Sequence, residues 1–161
     1  EFLLYLALST VMVVLVGLLG ISALSSGVKA RAQSEVQYSA EFLIETIARL
    51  VREAESVTFP ERGATSTTLI LATADPDTDP TVIELTPDGV TITRGVDAPY
   101  TIYNPATRVT MGVVTHEGES GDENLIRLLL TVVSYNPMDR QSLRAERTFT
   151  TALRVPYTST P

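Results

Sequence analysis

Residues 2–24 read FLLYLALSTVMVVLVGLLGISAL, and no charged residue stands between Glu1 and Lys29. As a helix rising ~1.5 Å per residue, this run covers roughly 35 Å, enough to cross the ~30 Å hydrocarbon layer of a bilayer. Apolar side chains fall on every face, so the run predicts a helix with no water-facing side. Its hydroxyl residues Ser9, Thr10 and Ser22 can return their O–H groups to the helix backbone. Gly17 and Gly20 allow a second helix to approach closely, or the helix to melt locally. A cleaved secretory signal sets only about 7–15 apolar residues behind a basic start, and neither feature is present. A buried core helix is disfavoured by size, because the remaining chain is too short to wrap it. Hydropathy alone makes a single-pass anchor the default reading.

The helical pattern continues past that run. From Val28 to Val57 there is no Pro, and apolar residues recur at Val36, Ala40, Leu43, Ile47, Leu50, Val51, Ala54 and Val57. Steps of three and four gather these on one face, with Leu43, Ile47, Leu50, Val51 and Ala54 as the expected contact with a sheet. Glu35, Glu41, Glu45, Arg49, Arg52, Glu53 and Glu55 make the wet face. Glu45–Arg49 and Arg49–Glu53 are spaced to pair along it, at roughly 0.3 kcal/mol each. Phe59-Pro60 closes the pattern, because the residue before Pro disfavours helix. One long helix is expected over residues 1–58, apolar all round through 27 and amphipathic from 28.

The whole chain has 161 residues, no Cys, no Trp, one His and a formal net charge of -7. That length suits one modest domain plus an extended segment, and not two full cores. Without Cys there is no disulfide, thiolate nucleophile or zinc ribbon, and a lone His rules out multi-histidine metal sites. The acidic balance argues against nucleic acid as a partner, since sequence-independent binding needs clustered cations. No G-x-S-x-G, phosphate loop or dinucleotide fingerprint occurs, and the chain does not read as an enzyme.

After Pro60 the period changes from helical to alternating. Residues 67–71, 82–85, 90–93, 109–113, 125–135 and 149–155 read as strands, and Thr86-Pro87-Asp88-Gly89 is a strong hairpin turn. Leu125 to Val133 is apolar on both faces apart from Arg127 and Thr131, which places it inside the sheet. The fold class expected is α+β: a long N-terminal helix whose stripe packs on a C-terminal antiparallel sheet formed by residues 59–161.

Five candidates could carry chemistry. Asp75, Asp77 and Asp79 occur as D-P-D-T-D-P, spaced like the first ligands of a calcium loop, but Pro80 replaces the needed Gly and Thr86 falls at the twelfth place. Glu117, Glu119, Asp122 and Glu123 form a second acidic loop, and both loops read first as solvated turns. Arg140, Arg144 and Arg147 form a small basic patch suited to acidic neighbours, while His116 has no partner for catalysis and reads as a surface residue. Glu1 stands directly against the apolar run, where a carboxylate is costly unless it is paired or lies solvated at the interface.

Glu1-Phe2-Leu3-Leu4-Tyr5-Leu6-Ala7-Leu8, followed by the apolar run, resembles the N-terminal segment of type IV prepilins from its acidic residue onward. Residues 42–57, FLIETIARLVREAESV, resemble the second half-helix of minor pilins and pseudopilins. The resemblance covers about the first third of the chain, departs from the family in lacking a helix-breaking Pro in the apolar half, and has no Cys for a C-terminal disulfide loop. It implies a basic leader and four mature residues upstream of Glu1, cleavage by a prepilin peptidase, and N-methylation. It implies further that Glu1 pairs with a neighbouring subunit's terminal amine, and that Phe2, Leu3, Leu6, Val13, Val16 and Leu19 line a filament core. The implied partners are copies of itself or other pilins, the cytoplasmic membrane before assembly and the pilus assembly machinery. The implied destination is an extracellular or periplasmic filament of a type IV pilus or a type II secretion-like pseudopilus, serving adhesion, motility or secretion. Calcium is the single cofactor candidate, at Asp75, Asp77 and Asp79, because some pseudopilins carry it. Lys29 and Arg31 flank the C-terminal side of the run and alone would place that side in the cytoplasm; a basic leader would outweigh them. The rival expectation is a membrane-anchored extracytoplasmic binding domain that never polymerises.

Overall fold

The computed structural model describes residues 2–117, 125–140 and 143–156. A single helix, α1 (Phe2–Glu53), runs through 52 residues without a break, about 78 Å at the standard rise. Its first contact with a core is at Ala32, and every described residue before that is exposed. From there one face is buried through Val36, Ala40, Leu43, Ile47, Leu50 and Val51. The expected stripe is the observed one.

The helix ends earlier than its spacing predicts. Ala54–Phe59 is a strand, β1, and not the last turns of α1. Ala54 is buried as expected, but as a strand residue. Steps of three at Val51, Ala54 and Val57 do not separate helix from strand over so short a window. The β-branched pair Val57-Thr58, followed by Phe59-Pro60, favours extended backbone, and pairing with a neighbouring strand supplies its hydrogen bonds. That neighbour is β3 (Thr68–Thr73), and the register slips twice along the pair.

The strands form two antiparallel sheets instead of the one expected. The first has the order β1-β3-β4-β5-β6, where β4 is Thr81–Thr86, β5 Gly89–Arg94 and β6 Tyr100–Ile102. The second has the order β2-β7-β8-β9, where β2 is Thr65–Ser66, β7 Thr107–Glu117, β8 Leu125–Ser134 and β9 Glu146–Arg154. The β4–β5 hairpin turns on Pro87-Asp88 with Thr86 opposite Gly89, as its sequence predicts. Gly89 has φ 150°, and a Cβ there would stand 2.1 Å from the Ile102 carbonyl oxygen, so only glycine fits the turn. The interior place expected for Leu125–Val133 is where β8 lies, between β7 and β9.

Alternation decides what each sheet buries. Leu69 and Leu71, Ile83 and Leu85, and Val90 and Ile92 point inward from the first sheet; Ile126, Leu128, Leu130 and Val132 do so from β8. These join the helix stripe in one core. α1 lies against β7, β8 and β9, and β7 also meets β3 and β4 of the other sheet. Polar contacts pin the packed half of the helix: Arg94 at the end of β5 reaches Glu53 at its C-terminal end (3.4 Å), and Ser39 shares a buried hydrogen bond with Thr107 (2.9 Å). The helix-face ion pair expected of Glu53 with Arg49 is thus replaced by a cross-element one.

Candidate assembly surface

Every residue expected to line a filament core is on the outside. Phe2, Leu3, Leu6, Val13, Val16 and Leu19 are all exposed, with Phe2 at 79 %. Among the described residues nothing folds back over them, and the 18-residue window that qualifies as a membrane span is 0 % buried. The run is therefore long and apolar enough to cross a membrane, and it exposes its whole circumference. Leaving such a surface in water costs about 25 cal/mol per Å² of apolar area, so it demands cover from lipid or from protein.

Of the three hydroxyls expected to bond back to the helix, Thr10 does so and Ser9 and Ser22 do not. Thr10 donates its hydroxyl to the Leu6 carbonyl (2.8 Å), and Ser25 does the same toward Ser22 (2.9 Å). Gly17 and Gly20 sit in continuous helix, and a Cβ at either position would meet nothing within 4 Å. The backbone is not melted there, and both glycines are left as flat places on the rod where another helix could come close. Glu1 lies outside the described residues.

The other candidates disperse. Asp75 accepts from the Asp77 amide (3.1 Å) and Asp79 from the Thr73 amide (3.0 Å), so two of the three carboxylates bind their own turn. Among the described residues no three His, Asp or Glu side chains gather in a way that could hold a metal ion. Glu117 pairs with Arg127 on the outer face of the second sheet (2.9 Å), and Glu119, Asp122 and Glu123 lie outside the described residues.

The three arginines do not form one free patch. Arg144 grips Asp139 through two hydrogen bonds (2.9 and 2.6 Å). These bonds, and the guanidinium charge, hold the Asp139 carboxyl below the usual carboxylate range and raise the Arg144 guanidinium further. Arg147 donates to the Gln37 amide oxygen (2.7 Å) and ties β9 to α1. Only the Arg140 guanidinium is left against a weak partner, the Met138 sulfur at 3.5 Å.

His116 is not a surface residue: it is 3 % exposed. Its Nδ1 lies 2.9 Å from the Pro60 carbonyl, which can only accept, so Nδ1 carries the proton. Its Nε2 is buried without a partner. The signal for this position was in the alternation. Val114 points inward, and the second residue along a strand must follow it. Sequence reasoning also missed an open aromatic cleft of about 230 Å³, lined by Tyr38, Phe42 and Tyr103 among others, where β6 passes the helix.

Comparison of the chain with known protein families, with characterised proteins and with solved structures finds no match.

Proposed function

We propose that this chain is a structural subunit of a type IV pilus-like or pseudopilus-like filament, held in the cytoplasmic membrane before assembly and polymerising through α1. The observation that carries the reading is the division of a single unbroken helix into a fully uncovered apolar half and a half packed along one face on the second sheet. The covered half fixes a head to the rod, and the uncovered half has a surface that stays dry only among lipids or among copies of itself. Moving from one to the other exchanges apolar neighbours for apolar neighbours, so packing contacts and the Glu1 pairing can tip the balance. The resemblance of residues 1–8 and 42–57 to prepilins supports the same reading. The role is mechanical, with the work done by association and not by bond chemistry.

The test is filament recovery. The full chain, expressed with its upstream segment and an assembly system, should yield material that shears from cells, sediments at high speed and shows thin fibres by electron microscopy. Removing residues 2–24 should abolish that material yet leave a folded domain, because nothing before Ala32 contributes to the core. A full-length chain that remains monomeric in the membrane would favour the lone-anchor alternative.

A further inference from the structure

One end of the domain faces the uncovered run. It is formed by residues 28–37 of α1 and by the stretches 86–89, 103–108, 135–140 and 143–147. Cross-contacts bring these stretches together: Asn104 reaches Glu35 (3.5 Å), Arg147 reaches Gln37 (2.7 Å), the Val109 amide donates to Pro87 (3.1 Å) and the Tyr135 amide to Ala106 (2.8 Å). Six of the chain's twelve Lys and Arg stand here, namely Lys29, Arg31, Arg108, Arg140, Arg144 and Arg147. Only four of the fifteen acids among the described residues do, namely Glu35, Asp88, Asp139 and Glu146. A strongly acidic chain thus turns a basic end toward its apolar rod.

Two of those acids are neutralised by ion pairs, which leaves Lys29, Arg31, Arg140 and Arg147 without a carboxylate partner against Glu35 and Glu146. Asp88 is held by Arg108 (3.6 Å), and Asp139 by Arg144. Among the described residues Lys29 and Arg31 have no hydrogen bond or ion pair, and the Arg140 guanidinium has only the Met138 sulfur. Met138 itself is 74 % exposed, an unbranched apolar side chain carried on the same connection as Arg140. Lys29 and Arg31 follow Leu24 on continuous helix by about 8 to 11 Å. A headgroup layer extends roughly 5–8 Å beyond the hydrocarbon edge.

We propose that this end is a docking surface for the anionic headgroups of the membrane that holds residues 2–24, with Lys29, Arg31 and Arg140 binding headgroup phosphates and Met138 entering the interface. This rests on the reading that the run occupies a bilayer before assembly. Covalent continuity favours lipid as the occupant: once the run is inserted, the helix holds Lys29 and Arg31 within about a Debye length of the headgroup layer, ~8 Å at physiological salt, and Arg140 stands on the same end of the domain. No separate encounter is needed, and the effective concentration of headgroups is set by the rod. Long basic side chains suit this place, since their stems lie along apolar surface while their charges reach the phosphates. Extraction from the membrane must break these contacts, so the anionic lipid content tunes how readily a subunit leaves.

The experiment uses the full chain reconstituted into vesicles of phosphatidylcholine alone, or with a third of it replaced by phosphatidylglycerol. Because the chain has no Cys, single-cysteine variants Met138→Cys, Val96→Cys and Leu15→Cys each carry one fluorophore. Quenching is read with lipids spin-labelled at the headgroup or deep in the acyl chain. Quenching at 138 by the headgroup label should be about twofold stronger in the anionic vesicles, and should fall back when Lys29, Arg31 and Arg140 are changed to Gln. Position 96, fully exposed beyond the far end of β5, should not respond. If Leu15 is quenched from the acyl chain but 138 ignores anionic lipid, the docking surface is refuted and the bilayer reading stands. If Leu15 is not quenched, the bilayer reading itself fails. Quenching at 138 that follows the protein-to-lipid ratio and not the lipid charge would assign the surface to a second copy and overturn the proposal.

Discussion

Ile47 is 1 % exposed within a core that draws on the helix and on both sheets. Ile47→Asp would place an unpaired carboxylate there, at a cost of about 4 kcal/mol, a large share of a domain's total stability. Thermal unfolding should show the head melting many degrees lower or not folding at all, and an unchanged melting temperature would remove Ile47 from the core. Glu1→Ala acts differently, because the described residues that follow it, from Phe2 to Arg31, take no part in the core. Filament yield or growth rate should fall while the head's melting curve stays in place, and an unchanged yield would contradict the charge-pairing role. The helix stripe was legible because its period is strict from Val36 to Val51. His116 was not, because a lone polar residue inside a strand is taken for a surface one unless its inward neighbours are counted. The burial of Ala54 was legible, but its element was not.

At the scale of elements, strands could be found from alternation, but their partners could not. β2 is only two residues long, yet it carries the chain from the first sheet into the second and back again. So short a segment leaves no periodic signal, and without it a single continuous sheet is the simpler inference. The place where the sheets meet is equally silent in the sequence. A Cβ on Gly112 of β7 would lie 2.6 Å from the Leu85 Cβ on β4, so the two sheets approach as closely as a bare backbone allows. Gly112→Val should therefore cost about 2 kcal/mol or more through overpacking, read as a lower denaturation midpoint at an unchanged slope. Full tolerance of Val would mean that the sheets are free to separate there.

For the whole molecule, the uncovered run was legible from composition alone, since no partner surface large enough to cover it exists in the remaining chain. The basic end was legible only in pieces, because Lys29 with Arg31 and the Arg140–Arg147 patch could be read along the chain but not the fold that brings four distant stretches together. What joins rod and head is one helix with no Pro and no break between Leu24 and Val36. Inserting a single Ala between Ser25 and Ser26 would turn the head by about 100° and raise it about 1.5 Å relative to the rod. Filament yield should drop sharply while the head's melting temperature does not move, and four inserted residues, which overshoot a full turn by about 40°, should recover part of the yield. An insertion without effect would show that the joint yields under load. With no swivel between them, the head has no azimuth of its own. Whichever side of the rod a neighbour selects also settles the compass bearing of both sheets, and the screw angle of any lattice of rods is passed unchanged to the pattern displayed on its surface.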